Sequence, residues 1–225
     1  MRTERCSSGV PAIDRLIGGG LELRTLTQIF GGPASGKSTL CLITTVSTLR
    51  SGKSVIFIDS EGFSTERFQQ IAGDESGPIA DRLFLFEPID FEQQGMMITE
   101  ADKIFHKHQP GLFVLDSATA LYRTDLEKGK DAMQMLTRQM LQLLGYAKKY
   151  EVPVLVTNQV YMDTTKNTFA GLGGTSLEHI SKVIIRLDRL DMPGWRRATL
   201  VKHRSRPEGD TCDFEIVSEG VRARE

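Results

Sequence analysis

Gly31-Gly32-Pro33-Ala34-Ser35-Gly36-Lys37-Ser38 matches the pattern G-x4-G-K-[ST] in full, and this stretch decides the fold. Its glycines let the backbone wrap closely, so that successive N–H groups point at phosphate oxygens. Lys37 supplies positive charge to the β- and γ-phosphates, and Ser38 offers a hydroxyl to Mg²⁺. Thr39 follows on the opening turn of the helix and joins the phosphate-binding set. ATP with Mg²⁺ is the expected ligand. Context separates this motif from a glycine-rich turn without chemical meaning. Residues 26–30 form a short apolar strand before it, and residues 38–50 have helical spacing up to the Ser51-Gly52 stop.

Outward from the loop, apolar bursts alternate with longer amphipathic stretches. Strands are expected at 55–59, 83–87, 112–116 and 154–157, and helices at 91–108 and 132–150. That alternation defines an α/β chain with a mostly parallel sheet. The character changes after Thr157. Residues 161–175 are polar, glycine-bearing and without period. Beyond them 183–187, 198–201 and 214–217 read as short strands, expected to run antiparallel at the sheet edge.

The chain has 225 residues, 40% hydrophobic and 25% charged, with a net charge of -1. It is long enough for a sizeable core, and a single domain over residues 1–225 is expected. A nearly neutral chain is no global polycation, so nucleic acid would have to be held by a local patch. Cys6, Cys41 and Cys212 are widely spaced and fit neither a metal site nor a disulfide framework. No apolar run approaches the ~20 residues of a membrane span, and no signal-like stretch opens the chain. A cytoplasmic location without a membrane partner is the expectation.

A phosphate loop that serves hydrolysis needs acids around it. Leu112-Phe113-Val114-Leu115-Asp116 is an apolar strand ending in a carboxylate, placed to hold the water shell of the magnesium with Ser38. Glu61, in Asp59-Ser60-Glu61-Gly62, follows another strand. Parallel sheets gather ligands at the carboxyl ends of their strands, so Glu61 belongs on the same rim and can orient the attacking water. A surface glutamate before a turn has the same local spacing. Asn158-Gln159 ends a further strand on this rim, where a neutral amide can sense the γ-phosphate.

Together these pieces resemble the RecA/RadA strand-exchange recombinases, and within them the archaeal RadB branch. The resemblance runs from Ser8-Gly9-Val10-Pro11-Ala12-Ile13-Asp14-Arg15-Leu16 and Gly18-Gly19-Gly20 through Ile58-Asp59-Ser60-Glu61-Gly62 to Leu155-Val156-Thr157-Asn158-Gln159-Val160. It covers nearly the whole chain. It implies a RecA-like core with Lys37 and Glu61 as catalytic groups and Gln159 as the γ-phosphate relay. It also implies that Arg67, in Thr65-Glu66-Arg67-Phe68, packs on the adenine. Residues 161–168 and 167–174 fall roughly where the family's two DNA-binding loops lie, the first with a single basic residue, Lys166. The sequence opens almost at the core, so the expectation is that the family's N-terminal helical DNA-binding domain and phenylalanine-led oligomerisation segment are missing. The resemblance therefore implies a weak, DNA-dependent ATPase that binds single-stranded DNA and assists a RadA-type recombinase, with a homodimer as a further candidate assembly. Two rivals stay open: a non-enzymatic mediator that uses nucleotide for stability, and a KaiC-like signalling ATPase.

The densest basic segment lies near the C-terminus, at Arg196-Arg197 and Lys202-His203-Arg204-Ser205-Arg206. On a strand, Lys202, Arg204 and Arg206 would share one face. Such a face suits an anion, either DNA or a neighbouring subunit's triphosphate; a solvated edge that discourages strand pairing is the other reading.

Overall fold

In a computed structural model of the chain, which describes residues 4–163 and 168–223, the phosphate-loop strand runs through the middle of a nine-stranded sheet. Two short strands, β1 (Arg5–Cys6) and β2 (Leu21–Glu22), pair with each other around helix α1 (Pro11–Leu16). Then come β3 (Leu26–Gly31), α2 (Lys37–Arg50) and β4 (Val55–Asp59). Helices α3 (Thr65–Ala72) and α4 (Ser76–Ala80) lead to β5 (Leu83–Phe86), α5 (Phe91–His108) and β6 (Leu112–Asp116). A 3-10 stretch (Tyr122–Lys128) precedes α6 (Lys130–Tyr150) and β7 (Val154–Asn158). The chain continues through β8 (Val160–Asp163), β9 (Thr168–Gly171) and α7 (Gly174–Ile180). It closes with β10 (Val183–Arg189), β11 (Trp195–Lys202), β12 (Thr211–Val217) and β13 (Gly220–Ala223).

Strand order across the large sheet is β13-β12-β11-β10-β3-β7-β6-β4-β5. The strands from β10 to β5 run parallel, and β11, β12 and β13 are antiparallel additions. β3, β4, β6 and β7 are buried along their whole length. That is why they read as unbroken apolar runs and not as alternating ones: helices cover both faces. One core packs α1, α2 and α3 against the sheet, and the other packs α5 and α6. The Asp90 side chain caps α5 and that of Ser64 caps α3, whereas α2 starts without a side-chain cap. Among the described residues no helix is long and apolar enough to cross a membrane.

Two expectations need correction. Residues 183–187 were expected as an antiparallel edge strand, but β10 lies parallel to β3, with Val183 opposite Thr27 and Leu187 opposite Gly31. The cause is α7, which carries the chain back across the sheet and makes the connection a crossover. The segment 161–175 is also not without regular structure. It contains the β8–β9 hairpin and the start of α7.

Candidate nucleotide-binding site

β3 delivers the phosphate loop to the carboxyl end of the sheet. A Cβ at Gly31 would stand 2.3 Å from the Leu187 carbonyl oxygen, so the approach of β10 requires glycine at the strand's last position. Gly36 has φ 101° and serves as the N-cap of α2 without a side-chain hydrogen bond. The first N–H groups of a 14-residue helix are thereby left for an anion. Lys37 Nζ folds back on the loop, donating to the carbonyls of Gly31 (3.1 Å) and Gly32 (3.2 Å). Ser35 Oγ is buried with no hydrogen-bond partner among the described residues. Pro33, Ala34, Lys37, Ser38 and Thr39 line a cleft of about 490 Å³ together with Glu61, Arg123, Gln159 and Arg196. A triphosphate fits this donor set: uncapped amides, one ammonium and an orphaned hydroxyl.

The acids stand where strand ends converge. Asp59 and Asp116 are paired in register on adjacent strands. Asp116 is 1% exposed. Burial pushes its carboxyl up to about 6, although hydrogen bonds from Thr157 and Ser38 pull the other way. With the Ser38 hydroxyl beside it, Asp116 is placed to hold a hydrated divalent cation. Asp59 is also raised by burial, against two backbone hydrogen bonds. Its Oδ1 accepts the N–H groups of Glu61 (2.8 Å) and Gly62 (2.6 Å). That turn sets the exposed Glu61 side chain over the cleft, where Gln159 Nε2 donates to Glu61 Oε1 at 2.9 Å. Asn158, its neighbour, is buried and structural: its amide joins Thr119 to the carbonyl of Leu172.

Other candidates lie elsewhere. Arg67 does not line the cleft. Its guanidinium donates to the carbonyls of Val217 and Ser218, both at 2.7 Å, and braces the β12–β13 turn. The shared strand face for Lys202, Arg204 and Arg206 does not form, because β11 ends at Lys202 and the loop with Pro207 and Gly209 follows. Lys202 Nζ instead donates to the Glu178 carbonyl, Arg204 pairs with Glu22, and Arg206 crosses Gly18. Arg197 makes a two-pronged bond to Asp213. Lys166 lies outside the described residues. Two residues that line the cleft were not singled out for it in the sequence. Arg123 comes from the 3-10 stretch, whose i+3 turns give no apolar period to read. Arg196 was grouped with the C-terminal basic cluster and instead reaches the phosphate loop.

Fold and cleft together define a RecA-type P-loop core: a parallel sheet with the loop at β3, a carboxylate ending the second strand away, and an amide on the strand between. A family model described as Rad51 matches residues 2–224. Curated relatives named DNA repair and recombination protein RadB agree with it. The protein from Methanoculleus marisnigri is 59% identical over 99% of both chains. The one from Methanococcoides burtonii is 44% identical over 97% of this chain and 98% of its own. A solved structure titled as the crystal structure of the RadB recombinase superposes with a TM-score of 0.83 at 37% identity, covering 98% of this chain and all of that one. The chain belongs to the Rad51 family and, within it, to the archaeal RadB group.

Proposed function

We propose that the chain binds ATP with Mg²⁺ and DNA, and that it assists a RadA-type recombinase in DNA repair and recombination with only slow nucleotide turnover. The observation that carries this is the position of Gln159. Its side chain touches Glu61 in the cleft, while its backbone carbonyl accepts the N–H of Leu172 at 2.9 Å, at the base of the β8–β9 hairpin. A change at the cleft therefore reaches both strands of that hairpin at their base, which is the arrangement of a nucleotide switch. Ser38 and Asp116 are the residues that would hold Mg²⁺, which when bound neutralises charge on the phosphates. Glu61 is the group to orient water, and its Oε1 is already engaged by Gln159, which favours slow turnover. The relatives' names supply repair and recombination as the setting.

Three measurements test the reading. A fluorescent ATP analogue should bind saturably with Mg²⁺, and Lys37→Ala should abolish that binding. Single-stranded DNA affinity, followed by anisotropy at fixed salt, should differ with and without ATP and fall steeply as salt rises. Pull-down of a purified RadA-type recombinase should depend on nucleotide. Equal DNA affinity and equal pull-down in both nucleotide states would overturn the switch.

A further inference from the structure

We propose that Arg196 binds the phosphates of the nucleotide held by its own chain's P-loop, giving the phosphate loop a cation besides Lys37 without a neighbouring subunit. The proposal rests on the nucleotide-binding reading above and adds a residue to it. Side chains alternate along a strand, so Arg196, Ala198 and Leu200 share one face of β11. Ala198 and Leu200 are fully buried there, and so is Phe214, which stands opposite Arg196 on β12. Arg196 is thus the last member of a core-facing row, at the point where that row passes over the phosphate loop. Its Cγ comes within 4.0 Å of the position a Cβ would take on Gly36, beside Ile216.

An inward-facing arginine needs partners for its donors. Arg196 Nη1 donates to the carbonyl of its neighbour Trp195 at 2.8 Å. Its Nε is buried with no hydrogen-bond partner among the described residues. The residue across the ladder on β10 is a second cation, Arg189. Burial, and then the charge of Arg189, bring the Arg196 guanidinium below its ordinary pKa, yet an arginine keeps its proton. Arg197, one residue on and facing the other way, shows the contrast, since Asp213 neutralises it. A positive group turned into a phosphate cleft, with an unsatisfied donor and a like charge beside it, is built for an anion that arrives from outside. The packing role of its aliphatic stem would not require any effect on nucleotide affinity.

The test is titration of the full chain with a fluorescent ATP analogue and Mg²⁺ at low ionic strength. Arg196→Gln should weaken binding about tenfold, the scale of a lost charge-assisted contact. Arg186→Gln, which removes one cation from an exposed site on β10, should leave affinity unchanged. Wild-type affinity in a folded Arg196→Gln chain would overturn the proposal. If that variant does not fold, the wild-type chain still decides: ATP should protect Arg196 from an arginine-selective dicarbonyl reagent, read by mass spectrometry, and lack of protection refutes the contact. Adding excess Lys37→Ala chain, which has Arg196 but a disabled loop, should not restore the affinity of Arg196→Gln. Restoration would show that the arginine acts between subunits. A wild-type chain that binds no analogue would overturn the nucleotide reading itself, an outcome distinct from a normal wild type beside an unaffected Arg196→Gln.

Discussion

Gln159 and Glu61 meet across the end of β6, where Gln159 Nε2 donates to Glu61 Oε1 at 2.9 Å and Gln159 Oε1 takes Arg123 Nη1 at 3.1 Å. The amide is thus oriented from both sides, and the carboxylate is held over the phosphate loop. Glu61→Gln keeps the shape and removes the carboxylate proposed to act on water. Hydrolysis should fall at least about a hundredfold, the usual scale of a positioned general base, while nucleotide affinity holds. Gln159→Ala should lower turnover less and remove the dependence of DNA affinity on nucleotide. Single-turnover phosphate release and DNA anisotropy check both. Unchanged turnover in Glu61→Gln would remove Glu61 from catalysis, and intact assistance to a recombinase in that variant would favour a mediator that needs no hydrolysis.

Asp59 acts on the same carboxylate through the backbone. It is buried, and its Oδ1 serves the N–H groups of Glu61 and Gly62. Asp59→Ala leaves both without that acceptor and should cost about 1–2 kcal/mol of stability. It should also slow hydrolysis, because Glu61 loses its anchor. Asp59→Asn keeps an oxygen in the same place and should restore both. Urea midpoints and turnover, measured side by side, separate this positioning role from a direct one. Loss of activity in Asn as large as in Ala would mean that the charge of Asp59 matters, not its geometry.

The parallel core was legible because β3, β4, β6 and β7 are buried on both faces and therefore contain little but apolar residues. The phosphate loop was legible because close backbone approach demands glycine. Glu61 and Asp116 followed from one rule, that parallel strands end on one rim. What could not be read depended on through-space partners. The direction of β10 is set by α7, a helix of seven residues, too short to show an apolar stripe. The basic residues near the C-terminus read as one patch, yet Arg204 turns to Glu22, Lys202 to the Glu178 carbonyl, and Arg196 to the phosphate loop. Linear charge density reports none of these turns.

Glu22 ties the N-terminal strand pair to the loop after β11. Its carboxylate, 6% exposed, pairs with Arg5 at 2.8 Å and Arg204 at 2.9 Å, with His203 Nε2 at 3.8 Å. Burial alone would raise Glu22, but the bond from Arg204 and the charges of Arg5, Arg204 and His203 carry it below its ordinary 4.5. Burial lowers His203 below its ordinary 6.5, against the pull of Glu22; Arg5 and Arg206 add to the lowering. Both folded values lie below the unfolded ones, so both contributions are fully present above the ordinary pKa and are lost as pH falls through the folded value. Thermal stability should drop in two steps on acidification, first below pH 6.5 and then below pH 4.5. Glu22→Gln should remove the lower step and cost roughly 2 kcal/mol at neutral pH, since it leaves Arg5 without its carboxylate. A Glu22→Gln chain with the wild-type pH profile would show that the clasp contributes nothing.

Gly31 and Gly32 are adjacent in the phosphate loop but differ in what surrounds them. An added Cβ at Gly31 meets the Leu187 carbonyl at 2.3 Å and Ser35 Oγ at 2.8 Å, whereas at Gly32 nothing lies within 4 Å. The Leu187 oxygen belongs to the backbone of β10, so it cannot swing aside as a side chain would. Gly31→Ala must push β3 and β10 apart at the mouth of the cleft, and it should cost about 3 kcal/mol, the upper range for overpacking. Gly32→Ala should stay within about 0.5 kcal/mol of the wild type, like other changes away from a packed contact. Urea denaturation with a common slope compares the two directly. The parallel pairing of β10 with β3 is what the experiment tests: if both alanines are tolerated equally, Leu187 does not sit against Gly31, and the register at the mouth of the cleft is different.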